Sequence, residues 1–301
     1  MTAELTGQAA VDHLLSLLDL DRVGEHRFRG LSSPGPQRVF GGQVASQALV
    51  AAARTVDPAR AVHSLHGYFV RPGDSNQPID FVVENIRDGR SFSVRRCVAQ
   101  QDGQTIFFMS ASFHRHEEGL DHHEPPPQVP PPEELPTMAE QLSRYPQRAA
   151  LLSWGAIRAI DVRYVGKPGW VAPGDRPATP RQPVWMRIAG RLPDDPVLHA
   201  CLLAYASDLT LLDSVLSVHG EVWGSGGFGG ASLDHAMWFH RPFRADEWFL
   251  YDCWSPSASG ARGLATGRMF SRDGRHIATA VQEGQLRRIT PRPDSTWPGV
   301  A

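Results

Sequence analysis

Ser64-Leu65-His66-Gly67-Tyr68-Phe69-Val70-Arg71-Pro72 and Ser232-Leu233-Asp234-His235-Ala236-Met237-Trp238-Phe239-His240-Arg241-Pro242 are two versions of one phrase. Arg241-Pro242 follows Arg71-Pro72 by 170 residues (241 − 71), and Asp273-Gly274 follows Asp102-Gly103 by 171 (273 − 102). Two matching half-chains predict a tandem duplication of one fold. Such a protein can keep chemistry in one half and lose it in the other, so the differences between the halves matter as much as the match.

Outward from the first phrase, β-rich runs cover Val62 to Val70, Ile79 to Ile86, Phe92 to Gln101 and Thr105 to Phe113. Pro72-Gly73-Asp74, Asp88-Gly89 and Asp102-Gly103 separate them, and Asp-Gly between such runs is a hairpin signal. Upstream, apolar residues at helical spacing (Val11, Leu14, Leu15, Leu18) predict a short helix. Gly41-Gly42-Gln43 opens a second, Val44 to Val56, whose many alanines let it lie close against a sheet before Asp57-Pro58 ends it.

Around the second phrase the plan recurs. A strand is expected at Trp154 to Tyr164, a long helix at Leu198 to Val218, and strands at Leu233 to Phe239, Trp248 to Ser255, Gly263 to Phe270 and His276 to Leu286. Between the halves, residues 122 to 136 hold seven prolines, which excludes a helix or a central strand and predicts an extended linker. The expected class is α+β: a tandem (double) hotdog, each repeat a long central helix wrapped by an antiparallel β-sheet. The division is an N-terminal repeat over 1–121, a Pro-rich linker over 122–147 and a C-terminal repeat over 148–301.

A chain of 301 residues suits two such units. Hydrophobic residues at 41% and charged residues at 21% give an ordinary globular composition. No run of about 18 apolar residues exists, so no membrane span is expected. The N-terminus does not resemble a signal peptide. A net charge of −2 gives no reason to expect nucleic acid. Three scattered cysteines, Cys97, Cys201 and Cys253, suit a reducing cytoplasm rather than a disulfide framework.

Further residues carry a family likeness. Phe40-Gly41-Gly42-Gln43, Val62 through Asp74, and Arg87-Asp88-Gly89-Arg90-Ser91-Phe92 resemble the first half of the type II acyl-CoA thioesterases, the TesB family. Tyr205-Ala206-Ser207-Asp208, Ser232 through Pro242, and Val281-Gln282-Glu283-Gly284 resemble the second half. The likeness runs over roughly residues 8 to 288, in the family's order and spacing. It implies a double hotdog that hydrolyses medium- to long-chain fatty acyl-CoA to free acid and CoA, as a homo-oligomer (dimer or tetramer), with no cofactor. In that family an Asp, a Thr or Ser, and a Gln hold the attacking water. The matching residues are Asp208, Ser232 and Gln282, with serine where threonine is common.

Read without the family, these residues say less. On a continuous helix Asp208 would neighbour Ala204, Tyr205, Leu211 and Leu212, a largely apolar setting. Such an aspartate is either bonded to backbone or an arginine, or functional. Ser232 and Gln282 are ordinary strand residues alone, although Gln282 would share a face with Ala278 and Ala280, leaving room beside it. Chemically the trio suffices: a carboxylate can take a proton from water, and a hydroxyl and an amide can orient that water. A thioester is reactive enough to need no nucleophilic serine and no metal. The repeat offsets put Val62 (232 − 170) and Ala111 (282 − 171) at the matching places of the first half, so one catalytic centre per chain is expected.

Arg87, Arg90, Arg95 and Arg96 form a basic cluster that fits CoA phosphates or a solvated strand face. Gly224-Ser225-Gly226-Gly227-Phe228-Gly229 matches a dinucleotide-loop pattern but lacks its strand–helix setting. His114, His116, His122 and His123 have no supporting metal-ligand spacing. Two other functions remain open from sequence: an enoyl-CoA hydratase on the same fold, and a non-catalytic acyl-CoA binding protein.

Overall fold

The computed structural model describes residues 5–34, 38–146, 158–171, 179–224 and 227–289. In chain order the elements are α1 (Gln8–Leu18), β1 (Asp21–Gly24), β2 (Arg27–Gly30), α2 (Gly41–Ala53), β3 (Arg60–Phe69), β4 (Ile79–Asp88), β5 (Phe92–Gln101) and β6 (Gln104–Arg115). A single 3-10 turn (Pro132–Glu134) and α3 (Met138–Ser143) lie in the connection. Then come β7 (Ile160–Tyr164), β8 (Arg181–Ile188), α4 (Pro196–Ser207), α5 (Asp213–His219), β9 (Phe228–Ser232), β10 (Asp234–Phe239), β11 (Phe249–Ser259), β12 (Arg262–Ser271) and β13 (His276–Arg288). Among the described residues no helix is long and apolar enough to cross a membrane.

The strands form one antiparallel sheet, ordered β1-β2-β4-β5-β6-β3-β10-β13-β12-β11-β8-β7, with β9 also on β13. The duplication is written into its register. At the seam between β3 and β10, His66 pairs with Ala236, and these are 170 residues apart (236 − 66). Two copies of one strand related by a local two-fold axis must pair a residue with its own copy at the axis, so the axis passes between these two. The irregularities are duplicated as well. The β3–β6 ladder shifts between Val62 and Ser64, and the second repeat breaks at the matching place, Leu233, between β9 and β10. A bulge bends the strand and re-aims the side chain before it. Here that side chain is Val62 in one repeat and Ser232 in the other.

The central helices α2 and α4 pack on each other inside the sheet. Small residues permit the approach: Ser46 Oγ donates to Cys201 O at 2.6 Å, and a Cβ on Gly42 would lie 2.5 Å from Tyr205 O. Ala45, Ala48, Ala51 and Ala52 of α2 are all buried, so larger side chains there would overpack the core. Asp102-Gly103 forms the expected hairpin, with φ of 47° and 72° at its two residues.

Several expectations need correction. The second helix is not continuous from Leu198 to Val218: α4 stops at Ser207, and α5 begins at Asp213. Asp208 is therefore the cap after α4, not a residue on a helix face. The strand expected at Leu233 to Phe239 is β10 (Asp234–Phe239), and a strand that was not expected, β9 (Phe228–Ser232), precedes it across the bulge. The strand expected from Trp154 is described from Ile160, and residues 154–157 of that expectation lie outside the described residues. Strands β1, β2 and β8 were not anticipated.

The proline-rich connection is extended, and it is also packed. It crosses the outer face of the second repeat's sheet, where Val129 and Leu135 lie against Trp185, Trp248, Leu250 and Phe270. Trp185 Nε1 donates to Pro130 O at 3.0 Å. Arg241 pairs with Asp121, Arg268 with Glu124 and Arg272 with Glu133.

Candidate active site

The end of α4, the β9–β10 break and the middle of β13 converge on one carboxylate. Gln282 Nε2 donates to Asp208 Oδ1 at 2.5 Å. Ser232 Oγ donates to the same oxygen at 3.5 Å, a contact at the outer limit of a hydrogen bond. The backbone N–H of Gly42, in the first turn of α2, also donates to the carboxylate. The trio thus meets at one point, and that point touches both repeats.

Each partner is there for a local reason. Gln282 lies on the inward face of β13 with Ala278 and Ala280, all three fully enclosed. Its Oε1 has no hydrogen-bond partner among the described residues, which leaves an acceptor aimed into the interior. Ser232 sits at the last position before the bulge, pairing with Gly284. Gly41 and Gly42 allow α2 to begin against the acid: a Cβ on Gly41 would lie 2.7 Å from Asp208 Oδ2 and 3.0 Å from the Phe69 ring. The N-terminus of α2 therefore turns the positive end of its dipole toward Asp208.

Burial pushes the Asp208 carboxyl up to about 6, against the opposing pull of the bonds from Gln282, Gly42 and Ser232. Low dielectric disfavours the ionised form more than three donors favour it. A carboxylate poised near neutrality is suited to take and return a proton. Asp234, two residues past Ser232, accepts the Glu283 N–H at 2.7 Å and so fixes the backbone next to Gln282.

The arginine cluster divides. Arg95 is only 2% exposed and is bound to Asp88, to the Thr55 hydroxyl and carbonyl, and to the Arg87 carbonyl. It is a structural tie and is not available to a solvent-borne phosphate. Arg87, Arg90 and Arg96 are exposed; Arg96 lies over the Phe108 ring at 5.7 Å. Thr55 lies just past the C-terminal end of α2, and Gly42 in its first turn, so Arg95 and Asp208 sit at opposite ends of a helix about 20 Å long. In the glycine-rich run, Phe228–Ser232 is strand β9, which delivers Ser232; Ser225 and Gly226 lie outside the described residues.

Sequence reasoning missed the part of Gly41 and Gly42, which lay inside the quoted Phe40–Gln43 motif. It also missed Ser207, His235 and Tyr251. Tyr251 was hidden because a tyrosine in a core strand reads as packing.

Comparison with known proteins follows this geometry. Residues 158–285 match the family model described as acyl-CoA thioesterase, and residues 31–114 match the acyl-CoA thioesterase N-terminal domain. Acyl-coenzyme A thioesterase 8 from Homo sapiens is 42% identical over 282 residues, covering 90% of this chain and 88% of that protein. Acyl-CoA thioesterase 2 from Haemophilus influenzae is 38% identical over 285 residues, covering 92% and 98%. The crystal structure of acyl-CoA thioesterase II TesB2 from Mycobacterium marinum superposes with a TM-score of 0.75 at 44% identity, covering 92% of this chain and 99% of that one. These matches span both halves, so the double hotdog is the fold and the chain belongs to the acyl-CoA thioesterase (TesB) family.

Proposed function

We propose that this protein hydrolyses acyl-CoA thioesters of medium to long acyl chain to the free acid and CoA, with Asp208 as general base. The observation that carries the reading is the meeting of Gln282 and Ser232 on one oxygen of a carboxylate poised near neutrality, in a chain of this family. A water held by the Ser232 hydroxyl and the Gln282 amide gives a proton to Asp208 as its oxygen attacks the thioester carbonyl. The unpartnered Gln282 Oε1 is the acceptor for the water's other proton. The developing oxyanion is stabilised by the positive end of the α2 dipole. The tetrahedral intermediate then collapses, the C–S bond breaks, and the sulfur leaves as the CoA thiol with the proton held by Asp208.

The exposed Arg87, Arg90 and Arg96 are the proposed contacts for the CoA phosphates, and neutralising the three together should raise KM rather than lower kcat. We place the enzyme in the cytoplasm, where the buried free thiols of Cys97, Cys201 and Cys253 stay reduced. Assembly as a dimer or tetramer would be weighed by light scattering. The deciding experiment measures CoA release from saturated acyl-CoA of increasing chain length. Release from medium and long chains supports the reading. Tight binding without release would favour a binding protein, and water addition to enoyl-CoA without release would favour a hydratase.

A further inference from the structure

His235 is completely buried near the start of β10, three residues after Ser232. Its Nε2 lies 2.7 Å from Ser207 Oγ. Ser207 is the last residue of α4, immediately before Asp208. The Ser207 hydroxyl lies 2.8 Å from Ala204 O and 3.3 Å from the Met237 sulfur; with its one hydrogen given to Ala204 O, its lone pair accepts from His235 Nε2–H. In that tautomer His235 Nδ1 is an acceptor, and it has no partner among the described residues; the other tautomer would bury an unpaired N–H there instead. Burial pushes the imidazole down to about 4, so the ring is neutral in the working range. Tyr251 completes the arrangement by donating its hydroxyl to Ser207 O at 3.1 Å. Ser207 and Tyr251 thus satisfy two carbonyls at the helix end, Ala204 O and Ser207 O, and His235 holds the Ser207 hydroxyl.

The first repeat says what the fold itself requires here. At the same offset, His235 corresponds to Leu65 (235 − 170) and Tyr251 to Phe81 (251 − 170), both fully buried. The last residues of α2 read Ala51-Ala52-Ala53, with no hydroxyl among them; that end is closed instead by Thr55, whose hydroxyl donates to Ala52 O at 2.8 Å and is held by Arg95. The core therefore accepts a leucine, a phenylalanine and an alanine at these positions. A buried imidazole with an unpartnered nitrogen costs stability, so in the second repeat the polar set is retained against the interest of packing. What differs there is that the helix end carries Asp208.

We infer that His235, acting through Ser207, is a positioning residue for the hydrolytic reaction: it ties the strand that carries Ser232 to the helix end that carries Asp208 and holds the carboxylate in register with Gln282. Tyr251 supports the same turn from the opposite strand. The inference rests on the reading of Asp208 as general base.

The test substitutes the first repeat's own residue, His235→Leu, beside His235→Gln, whose amide N–H can reach Ser207 from the Nε2 position, and Asp208→Asn. For His235→Leu we expect kcat to fall roughly 10- to 100-fold, as for a displacement of about 1 Å at a reacting group. KM should stay within about twofold because substrate contacts are untouched. The melting temperature should hold within about 4 °C or rise, since a leucine removes the orphan nitrogen. His235→Gln should regain most of the lost turnover. Wild-type kcat in His235→Leu, or a loss wholly explained by less folded protein, overturns the positioning role. If His235→Leu does not fold, Ser207→Ala carries the same test, and unchanged kcat there overturns it. The two readings separate cleanly: turnover surviving in Asp208→Asn sinks the base assignment and this inference with it, whereas a dead Asp208→Asn beside a fully active His235→Leu sinks the inference alone.

Discussion

The first and second repeats share a sheet register, a bulge and a helix crossing, yet at matching positions they hold different chemistry. Val62 corresponds to Ser232, Ala111 to Gln282, Leu65 to His235, and Phe81 to Tyr251 by the repeat offsets. In each pair the first repeat has the apolar residue and the second a polar one of similar placement. The fold needs only the shape at these positions. The first repeat packs apolar residues at these positions, and the polar atoms of the second lie around Asp208 and the end of α4 that carries it. One half of the molecule is an internal control for the other.

The comparison can be broken most directly at Asp208. Asp208→Asn should lower kcat by about 10²- to 10⁴-fold with the fold intact, measured as CoA release; retained turnover would end the claim that the second repeat holds the base. The same change should stabilise the protein at pH 7 by roughly 1–3 kcal/mol in a thermal melt. The sign follows from the carboxyl, which ionises near 3.8 when unfolded and at about 6 when folded. Between those values the folded state holds the extra proton, so stability falls as pH rises, and the whole penalty stands above the upper one.

Giving the second repeat the first repeat's residues sharpens the point. Gln282→Ala and Ser232→Val should each lower kcat about 10- to 100-fold with little change in KM. Ser232→Thr, which keeps the hydroxyl, should remain active. Gln282→Ala should cost more, because its bond to Asp208 is 2.5 Å against 3.5 Å for Ser232. In a pH profile, kcat should fall on the acid side near pH 6, where Asp208 takes up its proton; a limb near pH 4 would mean that the acid is not shielded.

The outer faces differ as well, with smaller consequences. The linker covers the second repeat's sheet, while the first leaves Tyr68 and Phe92 exposed. Trp185→Phe removes the donor to Pro130 O and should cost about 1 kcal/mol in a denaturant titration. Arg272→Gln breaks a pair whose side chains are 57% and 55% exposed, and the melting temperature should not move.

Much of this was legible in the sequence. The repeated Arg-Pro and Asp-Gly signals placed the meander, its hairpins and the one-residue drift between halves. The alternation Ala278, Ala280, Gln282 gave the inward face of β13. The end of α4 was not legible, because Leu209 to Val218 continues in helix-forming apolar residues with no glycine or proline to stop it. The stop comes from tertiary contacts: Tyr251, Ser207 and His235 satisfy the terminal groups there, and no local pattern announces them. Strand β8 was obscured by Pro183, which reads against a central strand, although β8 runs between β7 and β11. Four arginines close in sequence read as one patch, but a strand turns Arg95 and Arg96 to opposite sides, and only the buried side binds Asp88 and Thr55.

The seam at His66 and Ala236 has one more consequence. Gly42 comes from one repeat, and Asp208, Ser232 and Gln282 come from the other. In two separate chains such a centre would come apart on dilution and regain activity only as the pieces found each other. Here the connection holds the partners at a fixed effective concentration. Specific activity should therefore stay constant however far the enzyme is diluted, unless assembly beyond the single chain also shapes the site.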